Sequence, residues 1–250
     1  MTTGVLLYCF DTPTTNYHKL AERCVAQIKK YLGLEITIVT NFETYKKFCP
    51  MGMINFKLVD PTTTNTRSYR GKSVPWYNRE RALAYEHSPY DKTILMDCDY
   101  FVYSSALLEL TKTKFDLLLH DQVYDLTGKN LIAGKDESTL PLVWATVTLF
   151  RKSDNTKKIF DMIKHVQEYY PHYKNLYRIR YENYRNDYAF AIAMHQLNTG
   201  DRIPTPMFML SDSVDVIDSD DDGIIYRHNA DVNYTSGMDV HVMDKEWCNG

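Results

Sequence analysis

A chain of 250 residues with 44% hydrophobic and 24% charged side chains can bury a sizeable core, which excludes a disordered, collagen-like or disulfide-stapled chain. Its 29 basic and 32 acidic residues leave a formal net charge of −3, so no global positive field advertises nucleic acid or an anionic membrane. No apolar run approaches the roughly 18 to 20 residues needed to cross a bilayer, and Met1-Thr2-Thr3-Gly4 lacks the charged start of a secretion signal. Five cysteines without a Cys-x-x-Cys pair suit free thiols, so a cytoplasmic protein with no membrane partner is expected.

The first half alternates strand-like and helix-like stretches. Val5 to Phe10 is a continuous apolar run of buried-strand length, broken at Asp11-Thr12-Pro13. Thr14 to Asn16 offer N-caps for a helix to about Leu32, on which Leu20, Cys24, Ile28 and Leu32 share one face, and Gly33 stops it. Strands are expected at Ile36–Val39 and Ile54–Val59, a polar loop from Asp60 to Val74, and a helix from about Trp76 to Glu86. A strand Thr93–Met96 and a return strand Phe115–His120 follow. In the second half, Leu142–Phe150 reads as a strand, Asp154–Tyr170 as a helix capped by Ser153 or Asp154, and Arg185–Leu197 as another helix. The acidic tail from Ser211 reads as loop. With no internal repeat and no linker rich in Gly, Pro or Ser, the expectation is a single α/β domain over residues 1–250, its mostly parallel sheet flanked by helices.

Asp97-Cys98-Asp99 is the segment that carries chemistry. It ends the strand Thr93–Met96, and residues i and i+2 of a strand share a face. Carboxylates at the carboxyl end of a strand in an open α/β sheet point to the crevice where ligands bind. Mg²⁺ and Mn²⁺ are commonly held by one or two carboxylates plus substrate phosphates. The flanks Ile94-Leu95-Met96 and Tyr100-Phe101-Val102 are apolar, so an unbound charge pair there pays a large desolvation cost. The bland alternative is a pair of loop carboxylates capping a helix near Ser104. The run Asp215–Asp222 also contains Asp-x-Asp and reads as a solvated turn.

Ile94–Val102 resembles the signature of nucleotide-sugar-dependent glycosyltransferases with the GT-A fold, in particular the glycogenin-like and lipopolysaccharide-galactosyltransferase-like branch. The resemblance implies a Rossmann-like GT-A sheet, with residues 1–121 as the nucleotide-sugar-binding half and 122–250 as the acceptor-side half. It implies a nucleoside diphosphate sugar donor, a UDP-sugar being favoured, and Mn²⁺ or Mg²⁺ as cofactor. A donor-contacting arginine lies one helix upstream in the branch, where this chain has Arg79 and Arg81. The branch has a strand with Asn-x-Gly, which Trp144–Phe150 resembles without those residues, and a helix beginning Asp-Gln, of which Asn186-Asp187-Tyr188 keeps the Asp. Its C-terminal metal-binding His, Lys and Trp match His241, Lys245 and Trp247. The metal set implied is Asp97, Asp99 and His241.

Beside that resemblance, Phe10, Asp11 and Thr12 would stand at the binding edge of the sheet, near a nucleotide base or ribose. Lys245 offers a point charge to a phosphate, against the bland reading of a solvated lysine. Asp187 either orients or deprotonates the acceptor hydroxyl, or compensates its helix dipole. Tyr169–Arg185 interleaves tyrosines with Lys174, Arg178, Arg180 and Arg185, which suits either packing or stacking on sugars and bases. Arg67, Arg70 and Lys72 add a second basic stretch. The stretch Arg185–Phe190 resembles glycosyltransferases of tailed phages, some of which decorate hydroxymethylated cytosine, so the acceptor implied is a glycan or modified DNA. A metal-dependent nucleotidyltransferase and an inactive glycan-binding module are the rival readings.

Overall fold

The computed structural model describes residues 1–49, 52, 54–61, 65–69, 72–132, 140–245 and 247; Arg70, Cys248 and the side chain of Lys72 lie outside what is described. The chain begins with β1 (Thr3–Tyr8), α1 (Tyr17–Tyr31), β2 (Glu35–Thr40), the one-turn α2 (Phe42–Tyr45) and β3 (Ile54–Leu58). An antiparallel pair, β4 (Thr66–Tyr69) and β5 (Lys72–Pro75), precedes a 3-10 helix Arg79–Leu83 that runs into α3 (Ala84–His87). Next come β6 (Lys92–Asp97), β7 (Tyr100–Phe101), α4 (Ala106–Thr111), β8 (Leu117–His120) and β9 (Val123–Asp125). The second half holds β10 (Trp144–Arg151), α5 (Asp154–Glu168), α6 (Tyr170–Leu176), α7 (Asn186–Leu197), β11 (Asp201–Arg202) and β12 (Met207–Leu210). It ends with β13 (Asp215–Ser219), β14 (Ile224–His228), β15 (Asp231–Tyr234) and β16 (Val240–Val242).

Among the described residues, the central sheet has seven strands in the order β11-β8-β10-β6-β1-β2-β3, of which only β10 runs against the rest. The apolar run Val5–Phe10 alternates between two layers. Val5, Leu7 and Cys9 pack with Leu20, Cys24 and Ile28 of α1. Leu6, Tyr8 and Phe10 pack with Ile159, Phe160 and Phe190 of α5 and α7. Coverage on both faces explains why these strands read as unbroken apolar runs. A smaller sheet, β7-β16-β12-β9, closes the end of the molecule beyond β6.

Four expectations are corrected. The strand expected at Phe115–His120 forms as β8, but it does not return: it runs with β6, and β10, buried on both faces, inserts between them and runs opposite to both. The helix expected over residues 76–86 is a 3-10 helix followed by one α-turn. The polar loop at residues 60–74 contains β4 and most of β5. The acidic tail builds an antiparallel meander, β13-β14-β15, whose solvent-facing residues hide the strand pattern; β15 is exposed throughout. Its acidic turn is tied to α1, where Lys30 Nζ and Tyr31 Oη donate to Asp222 at 3.1 and 2.9 Å. Helix ends follow local chemistry: Ser153 Oγ accepts from Thr156 N at 3.2 Å, and Gly33 leaves α1 with φ of 61°. Cys9, Cys24, Cys49 and Cys98 are free thiols. Among the described residues, no helix is long and apolar enough to cross a membrane.

Candidate active site

The register of the sheet brings distant residues to one edge. β1 and β6 end together, with Tyr8 opposite Asp97. Because β10 runs the other way, it delivers its first residues there, and Val147 opposite Met96 sets Thr146 beside Asp97. On its other side β10 slips register between Trp144 and Thr148, an irregularity of the kind that re-aims side chains next to active sites. Beyond Asp97 the chain turns into β7, which pairs with β16, so that His241 lies opposite Tyr100. A cavity of ≈ 700 Å³ opens at this edge, with Asp97, Asp99, His241, Lys245, Arg81 and Thr146 among its lining residues.

Asp97, Asp99 and His241 each offer one ligand atom, all within 4.8 Å of one another. Side-chain exposure falls from 36% for Asp97 to 9% for Asp99 and 7% for His241, so the group runs from the cavity wall inward. His241 Nε2 lies 3.2 Å from Asp99 Oδ1, yet this buried oxygen has no hydrogen-bond partner. A buried carboxylate oxygen left facing a ring nitrogen is what a cation between them would satisfy. Two carboxylates and an imidazole suit Mn²⁺, and Mg²⁺ less well because of the nitrogen. The donor set therefore fits the implied metal.

Fixed charges surround the group. Arg81 Nη1 pairs with Asp97 Oδ1 while its Nη2 donates to the Ala145 carbonyl, and Thr146 Oγ1 donates to Asp97 Oδ2 at 3.0 Å. Lys245, 1% exposed, pairs through Nζ with Asp99 Oδ2 and donates to the Val242 carbonyl. Burial raises the Asp97 carboxyl above its ordinary range despite Arg81. Burial acts the same way on Asp99, but Lys245 and His241 beside it overcome it and hold that carboxyl well below the carboxylate range.

The other expected residues divide. Phe10 and Thr12 line the cavity. The Asp11 carboxylate does not: it accepts from His18 N at 2.9 Å, lies 2.8 Å from His18 Nδ1 and takes Lys47 Nζ at 2.9 Å. It thereby does the capping of α1 expected from Thr14 to Asn16, whose residue Asn16 makes no side-chain cap. Arg79 also stays outside, with Nη2 3.5 Å from the Gln167 carbonyl and its guanidinium 5.9 Å from the Tyr184 ring. Asp187 lines the cavity, but both oxygens are engaged: Oδ1 accepts from Ala145 N at 2.8 Å and Oδ2 from Arg185 Nη2 at 2.8 Å. Trp247 packs edge-on to Phe101 under the Arg23 guanidinium, away from the cavity. Of the tyrosine-rich segment, Tyr170, Tyr173 and Tyr184 are buried in packing, whereas Tyr181 is 41% exposed at the cavity wall.

Sequence reasoning missed Thr146 and Trp144, and it missed the wall that carries Trp76 and Tyr77. That wall is pinned by a buried amide network. Asn65 Nδ2 donates to Asn78 Oδ1 at 2.7 Å, Asn78 Nδ2 to the Tyr184 carbonyl at 2.9 Å, and Asn186 Nδ2 to the Asn78 carbonyl at 3.0 Å. Asparagines scattered over more than a hundred residues carry no local signal that could have announced it.

No protein-family model matches the chain, and no curated protein matches its sequence. Among solved structures, the chain is similar to the galactosyltransferase LgtC in complex with donor and acceptor sugar analogues: TM-score 0.54, 14% identity, 80% of this chain and 72% of that one covered. Mouse xyloside xylosyltransferase 1 superposes with TM-score 0.49 at 10% identity over 81% of this chain and 85% of that one. A protein described as a glucose-1-phosphate thymidylyltransferase from Bacillus anthracis gives 0.48 at 11% identity over 82% and 87%.

Proposed function

The fold is that of the GT-A glycosyltransferases, and from this premise we propose that the chain transfers a sugar from a nucleoside diphosphate sugar, a UDP-sugar being favoured, to an acceptor hydroxyl in a metal-dependent reaction. The observation that carries this reading is the convergence of Asp97, Asp99 and His241 within 4.8 Å at the cavity edge of the sheet. These three would hold Mn²⁺ or Mg²⁺, and the bound cation supplies charge neutralisation for the diphosphate as its bond to the sugar carbon breaks. Lys245, paired with Asp99, would add a fixed positive charge to stabilise the departing diphosphate. Arg81 and Thr146 hold the Asp97 carboxylate from both oxygens. Tyr8, Phe10 and Thr12 form the wall for the nucleoside. Asp187, engaged on both oxygens, suits orienting a hydroxyl better than taking a proton, which favours a retaining course.

The acceptor we favour is a glycan. Trp76, Tyr77 and Tyr181 offer rings at the cavity, while Arg185 and Lys174 are matched by Asp187 and Glu182, and Arg67 lies against Tyr17 Oη and the Trp76 ring. Acceptor binding that collapses with added salt would instead identify DNA.

The test is donor turnover with Mn²⁺. Asp99→Asn should lower it by on the order of 10²-fold or more while the fold persists, and the product should be a nucleoside diphosphate. Undiminished turnover in the variant refutes the metal assignment. Pyrophosphate as product points to a nucleotidyltransferase, and UDP binding without donor cleavage to a binding module.

A further inference from the structure

Thr146 lies at the centre of the cation site without being one of its ligands, and its hydrogen bonds determine what His241 presents to the site. The hydroxyl, in a residue 4% exposed, has three neighbours: Asp97 Oδ2 at 3.0 Å, Trp144 Nε1 at 3.0 Å and His241 Nδ1 at 3.4 Å. A threonine hydroxyl has one proton to give and two lone pairs to receive with. The indole N–H can only donate, so it takes one lone pair. The Asp97 carboxylate, held by Arg81 on its other oxygen, accepts, so it takes the proton. What remains toward His241 is a lone pair, and Nδ1 must carry the hydrogen. In the neutral ring that leaves Nε2 bare.

The other side of the ring agrees. Nε2 lies 3.2 Å from Asp99 Oδ1, and that buried oxygen accepts no hydrogen bond. An unprotonated Nε2 and a buried, unpartnered carboxylate oxygen thus lie side by side, two electron-rich atoms that a cation bound to both would satisfy. We propose that Thr146 is a positioning residue for this site: it fixes His241 as the Nδ1–H tautomer, with Nε2 available as a metal ligand, and holds the Asp97 carboxylate in the same network. Trp144 serves the arrangement by occupying the lone pair through which the hydroxyl would otherwise turn. The inference rests on the metal-site reading above. Partners of metal-ligating histidines typically alter metal affinity by about 10–100-fold when removed.

The experiment compares wild type, Thr146→Val, Thr146→Ser and Asp99→Asn. Mn²⁺ affinity is measured without donor by the loss of the free-ion electron paramagnetic resonance signal. The His241 tautomer is read in the metal-free protein from long-range ¹H–¹⁵N correlations above pH 7.5. Wild type should bind Mn²⁺ and show the Nδ1–H pattern. Thr146→Val should bind about 10–100-fold more weakly and lose that pattern, and Thr146→Ser should restore both. Thermal unfolding verifies that each variant is folded; should Thr146→Val not fold, Thr146→Ala replaces it. Wild-type affinity in the folded Val or Ala variant, with Asp99→Asn abolishing binding, overturns the role of Thr146 and leaves the metal site standing. Absence of Mn²⁺ binding to wild type overturns both.

Discussion

At the scale of single residues, the site is a balance of buried charges in which Lys245 holds a particular place. Its ammonium is the fixed cation beside Asp99, and both groups are almost wholly enclosed. Removing one partner of a buried pair leaves the other uncompensated, at a cost of about 3–5 kcal/mol. Lys245→Met keeps the length of the side chain and removes its charge. Metal-free, this variant should melt on the order of 10 °C below wild type, given about 2–4 °C per kcal/mol in a chain of this size. Mn²⁺ should recover much of that loss, because a divalent ion beside Asp99 supplies the missing positive charge. A thermal melt with and without Mn²⁺ checks it; equal metal-induced shifts in variant and wild type would show that the two cations do not share Asp99. Asp97 and Asp99 stood out in the sequence because two charges spaced by two between apolar runs need compensation, of which Arg81 and Lys245 supply part. Thr146 did not, since a threonine inside Trp144–Phe150 is an ordinary β-branched strand residue until its three neighbours are known. Asp11 misled for the opposite reason: its position at the sheet edge was right, but a carboxylate ahead of a helix is as useful to the helix as to a ligand.

Among the elements, β10 brings Trp144, Ala145 and Thr146 to the cavity, and it is laddered on its other side to β8. β10 enters against its neighbours and slips register near Trp144, whose pairing partner across the ladder is His120 at the end of β8. His120 is buried, with Nδ1 3.0 Å from the Thr205 carbonyl, to which it donates, and with no partner at Nε2. Burial lowers its pKa from 6.5 to about 4, the Thr205 bond opposing only in part. The unfolded chain thus binds a proton below about pH 6.5 that the folded one refuses until about pH 4. Stability from this group is complete above pH 6.5 and is lost as pH falls toward 4, a loss on the order of 3 kcal/mol. His87, lowered to about 4 mainly by burial while bonded to Tyr8 Oη at 2.9 Å, acts in the same direction. Denaturant unfolding at pH 7 and pH 5 should therefore show a marked drop for wild type and a smaller one for His120→Asn, which keeps an amide able to reach Thr205. An unchanged drop would mean that His120 takes its proton while folded. Strands with continuous apolar runs were readable from sequence, as were helices with a four-residue spacing. The meander β13-β14-β15 was not, because apolar residues such as Ile217 and Val232 face outward among acidic ones and break the alternation, and its acidic turn leans on α1 through Lys30 and Tyr31, a contact that no local pattern encodes.

For the molecule as a whole, the cavity is a joint between distant parts of the chain. Its lining runs from Tyr8 and Phe10 through Asp97 and Asp99 to Asp187, His241 and Lys245. The central sheet likewise joins them, since β8 and β10 stand in the same sheet as β1 and β6. A ligand seated there touches elements whose mutual order is the tertiary structure itself, so binding energy should appear as global stability. A ligand at a hundred times its dissociation constant contributes about 2.7 kcal/mol. In a chain of this size that is a rise of about 5–10 °C in the melting temperature. A panel of nucleoside diphosphates, each with and without Mn²⁺, should therefore give one cooperative transition that moves up, and UDP with Mn²⁺ should move it furthest. The increment with both together should exceed the sum of the separate ones, because diphosphate oxygens and the Asp97, Asp99 and His241 ligands would complete one coordination shell. Strict additivity would place metal and nucleotide at separate sites, and a larger shift with another base would move the donor away from UDP while leaving the metal in place.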